Sequence, residues 1–218
     1  MLLSGKNSKQ DLIDMLTQHL FPSIIFQTNI QEDTSIISID DWEMEDSGAP
    51  SQNDMASISH RVLERYPDIK KLFLNKFKQA AKDVLRLPHD FMITTSWFSG
   101  MKKGDFTRYH KHQNSFYSGV YYFGEYDENS GQLLFYTPLI EGLQSFYVDL
   151  PNGGDINSTY SWMIPPEKNK LVFFPSYLDH MMTDHHSDLP RYSLAFNIIP
   201  IGRYGAGDSL FDTAWLNE

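Results

Sequence analysis

The chain has 218 residues, 41% hydrophobic and 14% aromatic, with 18 Lys and Arg against 28 Asp and Glu (net charge −10) and no cysteine. A single domain with a sizeable core is expected at that length. The missing thiols exclude a disulfide scaffold, a thiolate zinc site, an iron–sulfur centre and a cysteine nucleophile. Any metal must therefore rest on His, Asp or Glu, and eight histidines are present. The acidic balance argues against nucleic acid or an anionic membrane as the main partner. No run approaches the ~18 apolar residues of a membrane span, and polar residues follow Met1-Leu2-Leu3 at once, so no secretory leader is read and a cytoplasmic location is expected.

In chain order, residues 9–20 place Leu12, Ile13, Leu16 and Leu20 on a short helical stripe ahead of Pro22. Residues 23–28 read as a strand. Residues 31–54 carry eight acids and no Lys or Arg, and 44–56 read as a surface loop. Residues 60–86 carry eight basic residues against three acids, a local +5. Within 68–87, Ile69, Leu72, Phe73, Phe77, Ala80, Ala81, Val84 and Leu85 form one apolar helical stripe, with Lys70, Lys71, Lys78 and Lys82 mostly opposite. Pro67 suits its first turn and Pro88 closes it. The basic stretch is open to a partner or to a second copy of the chain in a homodimer, with a plain solvated face as the simpler alternative.

After Pro88 the texture changes to short runs of Val, Ile, Tyr, Phe and Thr between turn residues. Strands are expected near 91–99, 115–123, 132–137, 145–149, 159–163, 170–174 and 191–199. Asn129-Ser130-Gly131, Pro151-Asn152-Gly153-Gly154 and Pro165-Pro166 mark turns. Helices first and strands afterwards predict a mainly β (α+β) fold, an antiparallel sandwich or double-stranded β-helix (a cupin-like jelly roll) with N-terminal helices packed on one sheet. The expected layout is one domain over 1–218, with helical support over 1–90, a β core over 91–200 and a tail over 201–218.

Three features of the β half carry chemistry. In Tyr109-His110-Lys111-His112, histidines two apart on an extended segment point to the same side and can converge on one ion. The apolar run from Lys170 to Phe174 ends at Pro175-Ser176, and His180 follows on the next loop. His185 and His186 are rivals to it, but they lie among Asp184, Ser187 and Asp188 in a stretch that reads as mobile and exposed. The third is the strand Arg191-Tyr192-Ser193-Leu194-Ala195-Phe196-Asn197-Ile198. Tyr192, Leu194, Phe196 and Ile198 form an apolar face, and Arg191, Ser193 and Asn197 share the other with Ala195. A guanidinium on such a strand is costly to bury alone. It suits a docked carboxylate held by two hydrogen bonds with help from the Ser193 hydroxyl, or else an internal salt bridge at the rim.

Together these features resemble the 2-oxoglutarate- and iron(II)-dependent dioxygenases, in which a His-x-Asp/Glu pair and a distant His form a facial triad with open coordination positions. The likeness is closer to a 2OG-Fe(II) oxygenase family of bacteria and phages. Its elements stand here as Phe21-Pro22, Trp97, His110-Lys111-His112, Ser118-Gly119-Val120-Tyr121-Tyr122, Phe174-Pro175-Ser176, His180 and Arg191-Tyr192-Ser193 with Phe196-Asn197. The resemblance spans roughly 20–200. It implies an enzyme that binds iron(II) through His110, His112 and His180 and takes 2-oxoglutarate as co-substrate. Arg191 and Ser193 would hold the distal carboxylate, Tyr122 (in preference to Tyr121) would donate a hydrogen bond, and Asn197 would line the pocket. The implied reaction consumes 2-oxoglutarate and O2, hydroxylates a C–H bond of an unidentified substrate and releases succinate and carbon dioxide.

One departure matters. Position 112 is His where most members carry Asp or Glu, so three neutral imidazoles would leave the iron's charge at +2 rather than +1. Asn114 offers only a poorer, neutral oxygen. Two other readings stay open. A cupin-like metal protein that uses no 2-oxoglutarate fits Gly104 six residues before His110, although Phe116 and Tyr117 stand where a cupin glutamate would be. A non-catalytic β-sandwich module would make the histidines incidental.

Overall fold

A computed structural model describes residues 22–46, 54–137 and 159–213. Along the chain run β1 (Phe26–Asn29), β2 (Met44–Asp46), β3 (Met55–Ser57), the helix α1 (Pro67–Ala80), β4 (Asp90–Met101), β5 (Tyr117–Tyr121), β6 (Leu133–Tyr136), β7 (Ser161–Ile164), β8 (Lys170–Pro175), β9 (His180–Met182) and β10 (Arg191–Ile201). Two-residue strands β11 (Arg203–Tyr204) and β12 (Phe211–Asp212) pair with each other in the tail. The larger sheet has the order β1-β8-β5-β10-β4-β3-β2 and the smaller β7-β6-β9. All their pairings are antiparallel. The mainly β architecture is thus as expected. Of the anticipated helices, α1 lies among the described residues; the stripe at 9–20, the strand at 145–149 and the turn at 151–154 lie outside them. No helix among the described residues is long and apolar enough to cross a membrane.

The alternation along β10 sorts its side chains into two cores. Leu194, Phe196 and Ile198 face α1, which answers with Ile69, Phe73 and Phe77 at helical spacing, followed by Ala81. Phe73 stacks on Phe196 (5.6 Å) and Phe77 meets Phe91, Tyr117 and Phe173 at 5.0, 5.1 and 5.4 Å. Each such ring contributes roughly 1.5–3 kcal/mol through burial. Gly119 on β5 is required here. A Cβ at that position would come within 2.2 Å of the Phe196 ring. On the other face of the large sheet, Met101, Val120, Tyr122, Val172, Phe174 and Ala195 pack against Leu133, Phe135, Ile164 and Met182 of the smaller sheet. The candidate site lies in this second layer.

Two details differ from the sequence reading. The helix passes into a π turn over Ala81–Leu85, and Arg86 ends it in the left-handed conformation at φ 58°. The wider turn rotates the register, so Val84 leaves the apolar stripe and is exposed. The loop expected at 44–56 contributes β2 and β3 at its two ends, and β3 pairs with the edge of β4. Such short, acid-bearing strands show no period of their own; the open edge of β4 supplies their pairing. The basic stretch also finds partners in its own chain. Lys76 pairs with Glu32 (3.3 Å) and Lys70 with Glu64 (2.7 Å). Lys78 pairs with Asp90, and Arg65 lies 4.1 Å from the centre of the Trp42 ring.

Candidate active site

His110 and His180 meet through the main chain before their side chains do. Each donates its amide N–H to the other's carbonyl at 2.9 Å, an isolated antiparallel bridge that sets the loop before β5 against the start of β9. Residues directly opposite on such a bridge point to the same side, and the two rings lie 4.4 Å apart. His112 follows two residues on, its amide bonded to the Ser176 carbonyl (3.0 Å). Its ring lies 5.3 Å from His110 and 5.1 Å from His180. One ring nitrogen from each histidine falls within 4.8 Å of the others. The three sequence-predicted ligands therefore converge.

The rings are oriented from behind. Nδ1 of His110 bonds the Arg108 carbonyl (2.7 Å) and Nδ1 of His180 the Leu178 carbonyl (2.9 Å). A carbonyl only accepts, so each Nδ1 carries the proton and each Nε2 keeps its lone pair free. His112 is held by rings instead, with Trp97 at 5.5 Å and Phe174 at 6.4 Å. Burial first, and the electrostatic influence of the neighbouring His110 second, push His112 down to about 4 and His180 to about 3. Both are neutral imidazoles near pH 7, the form that binds a metal.

The cleft containing the triad opens between the sheets, and Arg191 and Ser193 line it along with Trp97, Thr107 and Asp54. Arg191 is 1% exposed. Its Nε donates to the Gly131 carbonyl (2.9 Å), one terminal nitrogen donates to the Tyr122 hydroxyl (3.4 Å) and the other approaches the Met101 sulfur (3.8 Å). No carboxylate lies within ion-pair distance of it among the described residues. The rim salt bridge considered from the sequence is thus not found there. A guanidinium has five N–H donors, so these contacts leave donors without a partner among the described residues, on a side chain that lines the cleft. Tyr122 is fully buried beside Arg191, whereas Tyr121 points into the helix-side core and bonds Thr34 (2.6 Å). Tyr122 supports the guanidinium from behind and is not a wall of the cleft.

Asn197 departs from the pocket-lining role expected for it. Its side-chain oxygen accepts from Ser118 (2.9 Å) and its nitrogen donates to Thr95 (3.0 Å), while Ser118 meets Ser176 (2.9 Å) and Ser176 meets Ser115 (2.9 Å). This chain of hydrogen bonds runs from just past the end of β8 across β5, β10 and β4 in turn. It uses the polar groups of the Ser118, Ser176 and Asn197 motif positions to tie the sheet together beside the triad. Asn114, the alternative oxygen donor, is exposed at φ 56°, a turn residue in the left-handed region.

His185 is a second correction. Its polar surroundings in the sequence suggest exposure, yet it is wholly buried, with both ring nitrogens bonded, whereas His186 beside it is exposed. Gly131, Thr107 and Asp54 carry no local sequence signal for their place at the site. Gly131 stood only as a turn residue, and its carbonyl contact to Arg191 spans 60 residues, which no local pattern reports.

Residues 95–197 match a protein-family model described as "Putative 2OG-Fe(II) oxygenase". No curated protein matches the chain. Among solved structures, it is similar to an oxidoreductase of the 2OG-Fe(II) oxygenase family from Burkholderia pseudomallei (12% identity, 72% of this chain and 73% of that one, TM-score 0.51). HygX from Streptomyces hygroscopicus, with nickel, 2-oxoglutarate and hygromycin B bound, is 10% identical over 82% of this chain and 83% of its own, at a TM-score of 0.55. The non-heme alpha ketoglutarate dependent carbocyclase SnoK from nogalamycin biosynthesis is 10% identical over 86% and 84%, at 0.57. Identities this low speak for the fold. The chain therefore joins the sequence pattern of a 2OG-Fe(II) oxygenase family, over residues 95–197, to the double-stranded β-helix fold of such oxygenases.

Proposed function

We propose that the protein is a 2-oxoglutarate- and iron(II)-dependent oxygenase that hydroxylates a C–H bond of its substrate. The observation that carries this reading is Arg191: a fully buried guanidinium with free donors, in the same cleft as three converging imidazoles. Burying that charge costs several kcal/mol unless a partner meets it. A carboxylate of a small dianion, received by two parallel hydrogen bonds, is such a partner.

His110, His112 and His180 would hold the metal. The donor set suits a divalent first-row ion, because three neutral nitrogens with free lone pairs leave the remaining positions to co-substrate and O2. Iron(II) held there would supply the activation of O2 that couples oxidation of 2-oxoglutarate, to succinate and carbon dioxide, with hydroxylation of the substrate. The chain's own residues do the positioning. Arg191 and Ser193 receive the distal carboxylate, Tyr122 steadies the guanidinium, and Val120, Leu133, Phe174 and Met182 form an apolar wall that limits water around the reacting groups.

Thermal unfolding in anaerobic buffer tests the reading. With iron(II) present, 2-oxoglutarate raises the Tm of the wild-type chain through linkage. Arg191→Ala loses that rise and keeps the shift given by iron(II) alone. No stabilisation of the wild type by 2-oxoglutarate in the presence of iron(II) overturns the proposal. An iron(II) shift without a 2-oxoglutarate shift would favour a cupin-like metal protein.

A further inference from the structure

A wholly buried histidine with both ring nitrogens bonded takes no part in the chemistry above. Nδ1 of His185 faces the amide N–H of Gly131 at 3.1 Å, and Nε2 faces the carbonyl of Leu189 at 2.7 Å. An amide can only donate and a carbonyl can only accept. The ring is thus fixed as the neutral tautomer with its proton on Nε2, the opposite of the tautomer set at His110 and His180. The backbone of His185 is bonded as well. Its N–H donates to the Asp105 carbonyl (2.9 Å), and its carbonyl receives the Gly104 N–H (2.8 Å).

Gly131 is the residue held by that ring. The next amide along, Gln132 N–H, donates to the Thr183 hydroxyl at 2.9 Å, so the peptides on both sides of Gly131 are pinned by residues of one segment, 183 and 185. The approach leaves no room for a side chain, since a Cβ on Gly131 would lie 2.7 Å from the Thr183 carbonyl oxygen. The Gly131 carbonyl then accepts from Nε of Arg191 at 2.9 Å. Nε sits at the root of the planar guanidinium, so fixing it sets the direction in which the terminal N–H groups point.

We propose that His185 is a positioning residue for the co-substrate: by holding Gly131, it aims the Arg191 guanidinium at the carboxylate it receives. The inference rests on the reading of Arg191 as the 2-oxoglutarate-binding cation. A buried histidine that only supports the fold would lower stability and leave ligand affinities untouched in the folded protein. A positioning histidine changes the affinity for 2-oxoglutarate and spares the metal, because the iron-binding rings hang on other contacts. Outer partners of this kind typically change affinity by about 10–100-fold, and a misplacement of about 1 Å is enough for an effect of that size.

The test is calorimetric titration under anaerobic conditions, first of iron(II) into the protein and then of 2-oxoglutarate into the iron-loaded protein. His185→Phe keeps an aromatic ring, somewhat larger than imidazole, and removes both nitrogens. It is expected to weaken 2-oxoglutarate binding by about 10–100-fold and to leave iron(II) affinity within about threefold. His185→Asn, whose side-chain oxygen takes the place of Nδ1 as acceptor, is expected to recover most of the loss. Should His185→Phe fail to fold, Thr183→Val reads the same clamp from its other side, again through 2-oxoglutarate and not iron. Wild-type 2-oxoglutarate affinity in His185→Phe, or equal losses for iron and co-substrate with no rescue by Asn, overturns the inference. A wild-type chain that binds iron(II) and no 2-oxoglutarate overturns the functional reading itself, and this inference with it.

Discussion

The two faces of the large sheet make different use of the same strands. Toward α1, β10 offers Leu194, Phe196 and Ile198 to a layer dominated by phenylalanine rings, in which Phe73, Phe77, Phe98 and Phe196 are fully buried. Toward the smaller sheet it offers Arg191, Ser193 and Ala195 to a layer shared with His180, His112 and a cleft. A strand of period two can serve both demands only if the apolar face supplies the stability that the polar face forgoes. Close packing on one side lets the other keep a buried charge and an open space.

Substitutions across that divide should separate stability from binding. Phe196→Ala empties the helix-side core and is expected to cost about 3–5 kcal/mol in denaturant unfolding. The protein that remains folded should bind iron(II) with unchanged affinity. A loss of iron binding out of proportion to unfolding would mean that the two layers are not independent. Acid should act on the opposite layer. His112 and His180 titrate near 6.5 in the unfolded chain and at about 4 and about 3 when folded. The unfolded state therefore binds more protons in that window, and stability is complete above about 6.5 and falls as the pH drops toward 4. The slope is at most about 1.4 kcal/mol per pH unit for each imidazole. It should be smaller in His180→Phe, measured in the metal-free protein. A slope unchanged by that substitution would place the acid sensitivity elsewhere. The smallest effect is expected at the surface of the helix layer. Lys78→Ala removes the partner that holds the Asp90 carboxyl below its ordinary range, and it should cost less than about 1 kcal/mol because the pair is solvated.

Most of this division can be read in the sequence. The alternation in 191–198 assigned each side chain of β10 to its face, and the spacing of His110 and His112 put both rings on one side. Those signals are local: a strand fixes its faces within two residues. What escaped depends on partners far along the chain. Nothing near Asn197 says that its amide will be taken by Ser118 and Thr95, 79 and 102 residues away. His185 sits in a polar run that reads as surface, and only the folding of Gly131 and Leu189 around its ring buries it. Val84 fits the apolar stripe of a regular helix and leaves it because the last turn widens. The short strands β2 and β3 carry too few residues to show a period at all.

The departure at position 112 has a bearing on how such a site can change over generations. His110 and His180 are fixed by a reciprocal main-chain bridge and by carbonyls of their own loops, so their placement depends little on what stands between them. The His112 ring leans on Trp97 and Phe174 and, among the described residues, on no carbonyl that demands an imidazole. Of the three donors, it is therefore the one that can be exchanged with the backbone left in place. A carboxylate there would give up aromatic contact and keep the other two rings in register. If the three histidines hold a metal as proposed, the site has one interchangeable corner, and the charge left on the ion could be retuned there by a single codon.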